Sequence, residues 1–154
     1  MKTNETKRIE RLLLKYRHKG CIAALEVGFG TDGIVDFCSL NSGGELKCYE
    51  IKISMQDFRS ENKLTWVGVY NYMVVSNRMY RKHAEEIESE TPKHVGIIVA
   101  NVDAKRMSKT DLVQIRRAKR SKQKYSNAAA LRRMAAALDR KITKIVLEGE
   151  EERS

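Results

Sequence analysis

One proline, Pro92, is all that the 154 residues contain, which excludes a proline-rich linker. Cysteine is nearly as scarce. Cys21, Cys38 and Cys48 make an odd count, sit in apolar strand-like runs and form no C-x-x-C pair. A zinc site and a disulfide framework are therefore disfavoured, and buried reduced thiols are expected. His18, His83 and His94 are scattered without ligand spacing. No apolar run approaches the roughly 20 residues that cross a bilayer. The opening stretch MKTNETKRIERLLLKYRHKG is charged throughout and lacks the apolar centre of a secretory signal. A cytoplasmic location with no membrane contact is expected. Gly28-Phe29-Gly30 lacks the third glycine and the following helix of a dinucleotide fingerprint.

What the chain has in excess is positive charge. The net charge is +10, and residues 105–144 hold fourteen Lys and Arg against only Asp111 and Asp139. That segment carries +12 and leaves −2 for everything else. Such clustering is the footprint of a polyanion-binding surface, where each neutralised phosphate releases counterions. Arg116, Arg117, Lys119, Arg120, Lys122, Lys124, Arg132 and Arg133 are the candidate nucleic-acid contacts here. These side chains hold a backbone and read no bases. The bland alternative is a merely solubilising basic face.

Residues 33–60, GIVDFCSLNSGGELKCYEIKISMQDFRS, carry the chemistry. Ile34, Val35 and Phe37 predict a strand, Asn41-Ser42-Gly43-Gly44 a turn, and Leu46 to Ile53 a second strand. Side chains alternate along a strand, so Glu50 and Lys52 share one face while Tyr49, Ile51 and Ile53 share the other. If the hairpin pairs as its turn suggests, Asp36 comes near Glu50. Two carboxylates at one point repel unless a cation lies between them, and oxygen ligands suit Mg²⁺ or Mn²⁺. A lysine beside them can orient a water for attack on phosphorus. The plain alternative is an ordinary polar strand face.

Asp36 followed by Glu50-Ile51-Lys52 resembles the acid and E-x-K of the PD-(D/E)XK nuclease superfamily. EIKISMQDFRSENK, the Trp66/Tyr70 region and the strand YMVVS extend the likeness to its MmcB-like DNA-repair branch, over roughly residues 20–103. Residue 53 is Ile where the branch has Ser, no proline precedes Asp36, and residues after 104 have no recognised counterpart. The resemblance implies metal-dependent hydrolysis of DNA phosphodiesters by an endonuclease or exonuclease. It implies Asp36, Glu50 and the Ile51 carbonyl as ligands of Mg²⁺ or Mn²⁺, and Lys52 as the catalytic lysine. Glu10 or Glu26 is held as an extra metal acid, and Arg59 and Lys63 as phosphate contacts. DNA repair and phage or mobile-element DNA processing fit equally.

Read in order, the pattern is helix (residues 4–18), three strands, a short helix capped by Ser54, a strand, a helix to Ser89 and a strand to Val102. This is an α/β, restriction-endonuclease-like core with a mixed central sheet flanked by helices. It spans residues 1–104 of a single domain. Residues 105–125 are expected as a mobile basic loop with an edge strand near Leu112–Ile115. Residues 126–154 are expected as a basic helical extension and a frayed acidic tail. That helix has the apolar stripe Leu131, Met134, Leu138, Ile142 and Ile145, to dock on the sheet or on a second subunit as a homodimer. Two rivals remain open: a non-catalytic nucleic-acid binder on the same fold, and a protein-interaction module. Steep salt dependence of DNA binding separates the second from the others.

Overall fold

The computed structural model describes residues 2–60 and 66–153. Six strands form one mixed sheet in sequential order: β1 (Ile22–Gly28), β2 (Ile34–Leu40), β3 (Leu46–Lys52), β4 (Tyr70–Ser76), β5 (Gly96–Ala100) and β6 (Leu112–Arg116). β1–β2, β2–β3 and β5–β6 are antiparallel, while β3, β4 and β5 run parallel. The antiparallel hairpins need only tight turns. The parallel β4–β5 step needs a crossover, which the helix between them supplies.

α1 (Asn4–Lys15) starts at the N-cap Thr3 and buries Ile9, Leu12 and Leu13 against Phe37, Ile51, Val74 and Ala100. The helix ends at Lys15, before the expected residue 18. On the other face α2 (Met55–Phe58) and α3 (Asn77–Glu90) cover Met73, Val75 and Ile97, and α4 (Asn127–Arg153) covers Ala24, Cys38 and Cys48. Ser54 caps α2 as expected, its oxygen accepting the Asp57 N–H at 3.2 Å. Ser76 caps α3, while Asn77 accepts the Val102 N–H with its side chain. Cys38 and Cys48 are buried, unoxidised cross-strand partners.

The last helix departs from its expected packing. Of the predicted stripe only Met134 is buried, and its companions on the sheet are Ala130 and Ala137. Small residues let the helix approach the sheet closely. Leu131, Leu138, Ile142 and Ile145 lie about one residue round the helix and face solvent, Ile142 at 62% exposure and Ile145 at 68%. The helix also runs on to Arg153, through residues expected as a frayed tail. No helix among the described residues is long and apolar enough to cross a membrane.

Residues 117–125 follow the sheet. The N–H groups of Lys119, Ser121 and Lys124 donate to the carbonyls of His94, Val69 and Val67, and Gln123 accepts the Leu46 N–H. Those partners all stand at the amino-terminal ends of β3, β4 and β5.

Candidate active site

The β2–β3 ladder runs from Leu40↔Leu46 to Phe37↔Tyr49. Asp36 and Glu50 come next in that register, where the two strands part. Asp36 Oδ2 accepts the Ile51 N–H at 2.7 Å, so a side chain satisfies a backbone donor that lies past the last strand pair. Glu50 is buried and within hydrogen-bonding reach of Asp36. Lys52, two residues on, is also buried, and its Nζ lies 3.4 Å from Oδ1 of Asp57 on α2. The structure therefore brings Asp36, Glu50 and Lys52 together at the carboxyl end of β3.

Burial pushes the Asp36 carboxyl above its ordinary range by disfavouring the charged form. The Ile51 N–H, Glu50 and the Lys52 charge oppose that rise, and Asp57 adds to it. Asp57 is the residue that sequence reading left without a role. Its signal is the Ser54-x-x-Asp57 pattern, a helix start that aims the aspartate back at the strand it follows.

Glu26 stands opposite Asp36 in the β1–β2 register, between Leu25↔Phe37 and Val27↔Val35. Three acids thus share one row of the sheet, but they do not share one site. Glu26 has φ of 52°, a conformation that non-glycine residues seldom adopt. Across it the strand changes faces: Leu25 packs on the α1 side and Val27 on the α4 side. The Glu26 side chain meets Lys2, which also bonds Glu10 of α1. Glu10 and Glu26 are therefore brought together, around an ammonium. Burial opposes the charge on Lys2, yet the two carboxylates outweigh it and hold its pKa above normal. The Lys2 hydrogen bond in turn holds Glu26 below the usual carboxylate range. Among the described residues no three His, Cys, Asp or Glu side chains converge on one point.

The expected nucleic-acid contacts divide. The Arg116 guanidinium donates to the carbonyls of Glu88, Thr91, Pro92 and Val95, so it staples β6 to the α3–β5 connection. Arg59 forms a two-pronged pair with Glu90 at 3.0 and 2.8 Å. Arg120 bonds Glu45 at 2.9 Å, and Lys124 bonds Asp32. Arg117, Lys119, Lys122, Arg132 and Arg133 are exposed. Lys63 lies outside the described residues. The backbone carrying residues 119–124 is at the amino end of β3, and the acids are at its other end. From Leu46 to Glu50 is four residues at about 3.3 Å each, which separates them by roughly 13 Å. Charge counting along the chain could not show this, because it ignores where the strands begin and end.

A family model described as DNA repair protein MmcB-like matches residues 2–140. The chain belongs to the MmcB-like family. Membership of a DNA repair family makes its function DNA-related. The match is wider than the motif region at residues 20–103. Residues after 104, without a recognised counterpart in the motif comparison, belong to the family match as far as 140. The SPO1766 protein of unknown function from Silicibacter pomeroyi shares the fold, with TM-score 0.63 and 18% identity over 91% of this MmcB-like chain and 88% of that one. No curated protein matches the chain in sequence.

Proposed function

We propose that this MmcB-like protein is a metal-dependent DNA nuclease of the PD-(D/E)XK type. The observation that carries the reading is the pairing of half-buried Asp36 with buried Glu50 where β2 and β3 part, with buried Lys52 two residues along. A carboxylate pair partly withdrawn from water beside Lys52 offers a seat for a metal cation. The donors suit a hard one: two carboxylates and the Ile51 carbonyl supply oxygen only, and Mg²⁺ keeps several waters of its own. Asp36, Glu50 and Ile51 would hold Mg²⁺ or Mn²⁺. Bound there, the ion would polarise a phosphoryl oxygen and lower the pKa of a water.

The chain's own groups do the rest. Asp36 is fixed by the Ile51 N–H, which sets its carboxylate against Glu50. Lys52 is held near Asp57 and offers donors to a phosphate oxygen or to the attacking water. Glu10 and Glu26 are occupied by Lys2, so the metal acids are Asp36 and Glu50. Arg117, Lys119, Lys122, Arg132 and Arg133 attract the polyanion from a distance.

The test is cleavage of labelled single-stranded, duplex and branched DNA with Mg²⁺, with Mn²⁺ and with EDTA. Metal-dependent cutting that Asp36→Ala plus Glu50→Ala abolishes supports the nuclease. Binding without cutting, equal in wild type and variant, replaces it with the non-catalytic binder.

We further propose that a second copy covers the outer stripe of α4. An antiparallel pair would set Arg140, Lys141 and Lys144 of one helix against Glu148 and Glu150 of the other, with Leu138, Ile142 and Ile145 between them.

A further inference from the structure

A second group of cations lies at the end of the sheet where the acids are. A cavity of about 670 Å³ opens between α1, Ile53 just past β3, Val102 just past β5, and Arg78 in the first turn of α3. It sits off the carboxyl ends of the parallel strands, the usual seat of ligands in open α/β sheets. We propose that this cavity binds a phosphate group of a nucleic-acid strand. The proposal rests on the reading that the protein acts on nucleic acid, and it names where the strand is gripped.

Lys7, Arg8 and Arg11 project from one side of α1, at three- and four-residue spacing where like charges repel. Of the acids on α1, Glu5 is taken by Arg78 at 2.7 Å and Glu10 by Lys2. Arg78 is shared with Asp103 as well. Among the described residues Lys7, Arg8 and Arg11 have no carboxylate partner. Arg8 is further marked by a missing acceptor: its Nη2 donates to the Ala104 carbonyl at 2.6 Å, while its buried Nε has no partner among the described residues. A buried N–H without an acceptor is costly, and a small shift of the Arg8 side chain toward an arriving phosphate oxygen would relieve it. The first turn of α1 adds the positive end of a helix dipole to the same space.

Position decides the ligand. Ile53 follows Lys52 directly but points to the other face, so the cavity lies at the same end of the sheet as the proposed catalytic lysine, on its α1 side. The basic stretch at residues 119–124 is roughly 20 Å away at the other end of β3. A strand whose scissile phosphate meets Lys52 reaches Lys7, Arg8 and Arg11 by passing over the end of β3. The group held there is either a terminal monoester or an internal diester.

The experiment reads binding in EDTA, so it does not depend on catalysis. Short fluorescent DNA strands carrying a 5′-phosphate, a 3′-phosphate or only hydroxyl ends are titrated with the full chain across a salt series. Lys7→Gln plus Arg11→Gln removes two exposed charges, and Lys119→Gln plus Lys122→Gln removes two from the far end as a control. The cavity variant should bind about tenfold more weakly, with a salt slope shallower by about 2, and the control should lose less. Loss confined to one phosphorylated strand assigns a terminal phosphate, and equal loss on all strands assigns a diester. In arginine-labelled protein, inorganic phosphate should shift the Arg8 Nε–H resonance, and Arg8→Lys should erase that signal while keeping the charge. Wild-type affinity in the cavity variant overturns the proposal. If that variant also still cuts DNA with Mg²⁺, the nuclease reading survives alone. If cavity binding holds and no DNA is cut, the reverse is true.

Discussion

The Asp36 carboxylate accepts the Ile51 N–H at 2.7 Å, one step past the last pair of the β2–β3 ladder. One side chain thereby closes a backbone hydrogen bond and holds a half-buried carboxyl beside Glu50.

Asp36→Asn should stabilise the metal-free protein at neutral pH. The folded-state pKa of Asp36 is raised by burial, so the folded state holds its proton more tightly than the unfolded chain does. Stability from this group is therefore full below the ordinary carboxylate pKa and declines as pH rises through the raised value. Asparagine carries no charge to lose and still offers an oxygen to Ile51. Thermal melts in EDTA should show a higher Tm for the variant at pH 7, by about 2–4 °C for each kcal/mol relieved, with the gap closing in acid. Manganese should stabilise wild type and leave Asp36→Asn unmoved.

Lys52→Met should cut less without losing metal. A fixed donor at a phosphoryl oxygen is worth about 10²- to 10³-fold in rate. Single-turnover cleavage should fall by that order, while Mn²⁺ affinity, read by calorimetry, stays near wild type. An unchanged rate would remove Lys52 from the mechanism.

Glu10→Gln should leave cleavage and Mn²⁺ affinity intact and lower stability. Glu10 is buried and paired with Lys2, so its loss costs a partly buried ion pair, about 1–3 kcal/mol. Urea melts measure the cost. A tenfold drop in metal affinity would instead make Glu10 a ligand.

Arg116→Gln separates structure from binding. Its guanidinium caps four carbonyls, so the variant should lose about 1–3 kcal/mol of stability. The salt dependence of DNA binding should hardly move. A slope reduced by about 1 would return Arg116 to the set of phosphate contacts.

Ile142→Glu plus Ile145→Glu should leave the fold untouched and break the proposed α4 pair. Sedimentation velocity should show wild type shifting to dimer with concentration and the variant staying monomeric. A wild type that is monomeric throughout defeats the self-pairing.

The local code was legible because it depends on neighbours in the chain. Alternation put Glu50 and Lys52 on one face, the Asn41–Gly44 turn fixed the register that carries Asp36 to Glu50, and Ser54 capped α2 as expected. Periodicity also marked α4, yet it chose the outer stripe over Ala130, Met134 and Ala137. A large apolar residue signals burial more strongly than alanine, although a helix lying close on a sheet needs the small one. What only tertiary structure decided concerns groups far apart in sequence. Lys2 joins Glu10 to Glu26, the Arg116 guanidinium turns to carbonyls of residues 88–95, and Arg78 of α3 meets the α1 cations across one cavity. A one-dimensional charge count weighs every lysine and arginine equally. Folding sends the basic stretch to the amino ends of the strands, and to the carboxyl ends three cations of α1 that have no carboxylate partner among the described residues, because strand direction and helix packing set where each charge stands.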